Sequence, residues 1–102
     1  MLIVEVHLLE DEKLRDHGYD KAKLYQMLDE VFVGICGAEK MVDGYFAGRN
    51  DFQDFVPLMT AAYLLIQKED VRQFCEKILW VKRNEQGETY HVENILEEIR
   101  QR

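Results

Sequence analysis

The sequence predicts an α+β domain, in which a small, mostly antiparallel sheet is covered by about four helices. The sheet is expected from an N-terminal strand, a strand or hairpin over residues 39–48 and a late hairpin over residues 80–92. Three observations carry this prediction. Leu2, Val4, Val6 and Leu8 recur at the period of a strand. Leu24, Tyr25, Leu28, Val31, Phe32, Ile35 and Cys36 fall on the i, i+3, i+4, i+7 stripe of an amphipathic helix. Asp43-Gly44 and Asn84-Glu85-Gln86-Gly87 each stand between apolar pairs, as turn residues do.

Taken in order, Met1–Leu9 is rich in β-branched residues and predicts a strand. One of its faces should be fully buried. The other carries Glu5 and His7 and should meet solvent or a polar groove. Glu10–Gly18 is charged and predicts one or two helical turns around Leu14, stopped by Gly18. The helix from Tyr19 to Gly37 follows, with Asp20 as its cap and Gly37 as its stop. Asp43-Gly44 predicts a hairpin over 39–48, with a single strand bulged at Gly44 as the competing reading.

Asn50 or Asp51 can cap the next helix, and Gln53 completes a capping-box spacing. Pro57 is tolerated only in a first turn. The expectation is therefore a short turn at 51–55 or a helix starting at Asp54. Phe55–Ile66 is apolar on nearly every face and should be the most buried helix. Lys68–Leu79 resumes helical spacing through Val71, Phe74, Cys75, Ile78 and Leu79. For 80–92 the preferred reading is a hairpin. The alternative is a helix running on to Gln86. Val92, Ile95, Leu96 and Ile99 mark a last helix.

With 102 residues, 47% of them hydrophobic and 32% charged, the chain is expected to form one globular domain spanning 1–102. The longest apolar run, Ala61–Ile66, is far short of the ~20 residues of a membrane span. No signal-peptide pattern opens the chain. Cys36 and Cys75 both lie in apolar helical stripes and read as core thiols of a reducing compartment, hence a cytoplasmic protein.

The net charge of −7 is concentrated in residues 1–54, which carry 12 acids and 6 bases. That argues against nucleic acid and anionic membranes, which require clustered Lys and Arg. It leaves a protein partner, with a basic one among the options, as the expectation. The densest cluster is Glu10, Asp11, Glu12, Asp16 and Asp20.

Catalytic signatures are sparse. The chain contains no serine, which rules out a serine triad. His7, His17, His91, Cys36 and Cys75 do not stand at chelating spacings, so neither metal nor cofactor is expected. Cys36 sits at a helix C-terminus, where the dipole disfavours a thiolate. The glycines form no phosphate loop, and at the helix head Asp51 and Asp54 compete with any anion at Arg49. Phe52 and Phe55 read as core or as an acidic-aromatic recognition patch.

The leading expectation is a small acidic, non-enzymatic binding or regulatory protein, inhibitor- or immunity-like in size and charge. Glu10, Asp11, Glu12, Asp16 and Asp20 are its partner-binding candidates. The first alternative is a small-molecule-binding domain or minor enzyme, with His7 and His91 at a pocket between sheet and helices. The second is a structural homodimer made through a sheet edge.

Overall fold

The computed structural model describes residues 2–48, 58, 60–62, 64, 65 and 73–100. It is a five-stranded antiparallel sheet with helices on one face. The strands are β1 (Leu2–Leu8), β2 (Glu39–Val42), β3 (Tyr45–Gly48), β4 (Cys75–Arg83) and β5 (Thr89–Asn94), in the spatial order β2-β3-β1-β4-β5. Helix α1 is Asp11–Asp16, α2 is Lys21–Asp29 and α3 is Ile95–Arg100. The described residues between 58 and 65 are also helical.

β1 lies in the centre. Val4 pairs with Phe46 of β3 on one side and Trp80 of β4 on the other. Cross-strand neighbours share a face of the sheet, so this row faces the helices together. The core is Leu2, Val4, Val6, Phe46, Ile78 and Trp80 from the sheet against Leu14, Leu24, Leu28, Phe32, Leu58, Leu65 and Leu96 from the helices. Ile3, Ala47 and Val81 form a second, smaller buried cluster on the opposite face, with Leu79 against it.

The turns predicted at Gly18, Gly37, Asp43-Gly44 and Asn84–Gly87 are present. The φ of Gly18 is +79° and that of Gly37 is +72°, where α1 and the long helix end. Asp20 caps α2, its Oδ1 accepting from the Ala22 N–H at 3.0 Å. The 39–48 segment is a hairpin rather than one bulged strand. The late segment is a hairpin too, closed by Asn84, whose Oδ1 accepts from the N–H groups of Gln86 and Glu88.

Three expectations are corrected. First, Cys75–Leu79 is strand, not helix; among the described residues of the predicted helix, Gln73 and Phe74 are helical. β4 is buried on both faces, with Ile78 and Trp80 on one and Leu79 and Val81 on the other. A strand of that kind is a continuous apolar run, and residues four apart share a face in strand and helix alike. Cys75 is therefore a strand residue of the core. Second, Val92 belongs to β5 and is 52% exposed. The last helix starts after Asn94, whose Oδ1 accepts from the Glu97 N–H.

Third, the long helix changes pitch. Glu30–Ile35 is π-helical, with the Cys36 N–H donating to the Val31 carbonyl five residues back. Each residue of a wider turn rotates the chain through a smaller angle. Ile35 thus falls off the apolar stripe and is 81% exposed, while Phe32 stays fully buried.

The expected caps at Asn50 and Asp51, the start near Asp54 and Pro57, Arg49, Phe52 and Phe55 lie outside the described residues. Of the helix expected to be most buried, Leu58, Ala61, Ala62 and Leu65 are buried and Thr60 and Leu64 are exposed. Among the described residues of this segment, burial is thus on one side. No helix among the described residues is long and apolar enough to cross a membrane.

Candidate functional site

The acidic cluster lies at the corner where α1 turns into α2. α1 is pinned by the buried Leu14, which leaves Glu10, Asp11, Glu12 and Asp16 exposed. The corner is closed by backbone bonds from the Tyr19 N–H to the Leu14 carbonyl and from the Gly18 N–H to the Arg15 carbonyl. The Tyr19 ring meets Phe74 edge-on at 5.3 Å, and its hydroxyl reaches Gln73. Asp11, Leu14, Arg15, Tyr19 and Lys21 surround an open hollow of about 320 Å³.

Two of the five carboxylates have structural duties. Asp20 caps α2. Asp11 accepts from Lys21 Nζ at 2.9 Å, tying the start of α2 to α1. That hydrogen bond lowers the pKa of Asp11, and the same bond raises that of Lys21. Both groups are solvent-exposed, so the pair positions the corner more than it stabilises the fold. Among the described residues Glu10, Glu12 and Asp16 enter no ion pair. Lys13, Arg15 and Lys21 stand between the acids, so the surface is mixed rather than uniformly negative.

The two histidine candidates are not brought together. His7 pairs across the sheet with Lys77, and His91 with Lys82. Positions 77 and 82 of β4 differ in parity, so the histidines lie on opposite faces, roughly 17 Å apart along the strands and two strands across. His7 is on the face away from the helices. Its Nε2 meets Glu5 Oε1 at 3.1 Å, and its ring lies 5.5 Å from that of Tyr45. Burial, and after it the Glu5 carboxylate, keeps the Tyr45 hydroxyl protonated above the usual tyrosine range. His91 is matched by Glu93 of its own strand.

Tyr45 was not a sequence candidate. Its place beside Glu5 and His7 follows from the register Glu5↔Tyr45, which the hairpin turn at Gly44 sets. Neither could the Asp11–Lys21 pair be read from spacing, since ten residues and a chain reversal separate the two.

The cysteines are in no disulfide. Cys36 is half-buried at the end of the π-helical segment, and Cys75 is fully buried. Burial pushes the Cys36 thiol up, the direction expected from the helix end but through desolvation. Iodoacetamide should therefore modify Cys36 in the native protein more slowly than a free cysteine and spare Cys75 until denaturant is added. Mass spectrometry of digested samples reads both; equal native labelling of the two would contradict the burial of Cys75. No group of three His, Cys, Asp or Glu among the described residues is placed to hold a metal ion.

Compared with known protein families, with curated proteins and with solved structures, the chain matches none. The fold and the corner between α1 and α2 are thus the basis for a functional reading.

Proposed function

We propose that the protein is a non-enzymatic binding protein that engages a basic protein partner through the corner between α1 and α2. One observation carries this reading. Glu10, Glu12 and Asp16 are exposed on the corner and enter no ion pair among the described residues. Exposed carboxylates without intramolecular partners suit a partner that brings lysines or arginines: the charge steers the encounter, and each carboxylate gains a cation on binding.

The test is the triple variant Glu10→Gln, Glu12→Gln, Asp16→Asn. Asp11 and Asp20 are kept, because they hold the corner and the cap. Each exposed pair contributes about 0.5 kcal/mol, so the three together should weaken capture by about tenfold. Immobilised wild type and variant are exposed to cell extract at low and raised salt, and bound proteins are quantified by mass spectrometry. A basic protein depleted by the variant and by salt is the expected result. The same proteins at the same yield on both baits would overturn the reading.

A further inference from the structure

We propose that β5 pairs with β5 of a second copy of this chain, antiparallel, about a two-fold axis through Val92. This is independent of the corner between α1 and α2.

The two outer strands of the sheet differ in kind. β2 is four residues long, its register shifts between Lys40 and Val42, and Lys40 is held by Asp29 and Asp43. A short, bulged edge carrying a lysine is one that resists pairing. β5 is six residues long, and its own register shift lies at one end, leaving His91–Asn94 in regular register. That run keeps regular register with β4 and contains no Lys, Arg or Pro; the irregularity falls at Tyr90, next to the turn. Val92 and Tyr90 are exposed.

The sequence of β5 also selects its own register. A two-fold axis normal to the sheet preserves each residue's face, and antiparallel neighbours must share a face. One residue of each copy therefore sits on the axis. With Glu93 there, two carboxylates meet. With His91 there, two imidazoles meet. With Val92 there, Val92 packs on the partner's Val92, and His91 stands opposite the partner's Glu93, twice over by symmetry. His91 and Glu93 already form a pair within one strand, so the two side chains are matched in chemistry. The result is a continuous ten-stranded sheet. An edge pairing of this length lies in the small, transient class of interfaces, below about 1,200 Å², so the dimer is concentration-dependent.

Sedimentation equilibrium over a roughly hundredfold range of concentration tests it. The wild type should pass from monomer to dimer. Val92→Lys places two like charges on the axis and should weaken association by at least about tenfold. Should that variant fail to fold, as judged by circular dichroism, a charge exchange decides. His91→Glu and Glu93→Lys should each be monomeric alone, because the first sets two carboxylates opposite each other and the second takes away the acceptor opposite His91. Their equimolar mixture should dimerise, because Glu at 91 then faces Lys at 93 and His91 faces Glu93. Repulsion within a single strand would not be relieved by mixing. A monomeric wild type at the highest concentration, or a dimer indifferent to these substitutions, would overturn the proposal.

Discussion

Phe32→Ala is expected to lower the stability of the fold by about 3–5 kcal/mol. Phe32 is fully buried and stacks on Phe46, with ring centroids 4.6 Å apart and planes 16° from parallel. Its carbonyl also accepts from the Ala38 N–H at 2.9 Å, where the chain leaves the π-helical segment for β2. The side chain therefore locks a helix of changed pitch onto the sheet. Removing it leaves a void between the two that neither can collapse to fill. Domains of this size have about 5–15 kcal/mol in all. At about 4–8 °C per kcal/mol, the melting temperature should fall by at least about 12 °C. Urea denaturation of Phe32→Ala, Phe46→Ala and the double variant measures the effect. The two losses should not add, since the rings share one contact. A loss under about 1 kcal/mol for Phe32→Ala would contradict its burial.

Gly44→Ala is expected to cost about 2–4 kcal/mol, for two separable reasons. The φ of Gly44 is +83°, which costs an L-residue about 1–2 kcal/mol. A Cβ there would also stand 2.7 Å from the Val6 carbonyl oxygen and 3.3 Å from the Tyr25 ring. The oxygen belongs to β1, and the Val6 N–H donates to the Gly44 carbonyl at 2.8 Å, so the two backbones cannot part without losing a sheet bond. Gly87→Ala is the control. Its φ is +80°, but nothing lies within 4 Å of an added Cβ. It should cost the conformational part alone, about 1–2 kcal/mol. Equal losses at Gly44 and Gly87 would show that the contact with Val6 yields freely.

These two positions show what kind of information the sequence makes visible. Turns are chemistry confined to a few adjacent residues. Gly18, Gly37, Asp43-Gly44 and Asn84–Gly87 were therefore readable, and with them the hairpins and helix ends. The first part of β4, Cys75–Leu79, was not, because a strand buried on both sides has no alternation to see. Phe74 and Ile78, four apart, satisfy both periods. Ile35 was misplaced because stripe arithmetic assumes one pitch, and the π-helical turn changes it.

The site was legible to a similar degree. The acidic residues could be found by counting, and the expected turn around Leu14 placed them on an exposed helix. That Asp11 is tied to Lys21 depends on the angle of a chain reversal. The separation of His7 from His91 depends on strand order and parity, with β4 lying between their strands. Neither is written in local spacing.

The central place of β1 has a consequence for how the protein is made. Leu2 pairs with Gly48 on one side but with Lys82 on the other. A ribosome delivers β1 first and β4 long afterwards. Until residues 75–83 emerge, the nascent chain has the β2-β3 hairpin to dock but one whole flank of β1 exposed. Its Leu2, Val4 and Val6 row also lacks Ile78 and Trp80. Non-local strand pairing of this kind is slow and exposes sticky edges. Assembly of the sheet thus waits on β4, which lies about seventy residues further along the chain than the strand whose second flank it covers.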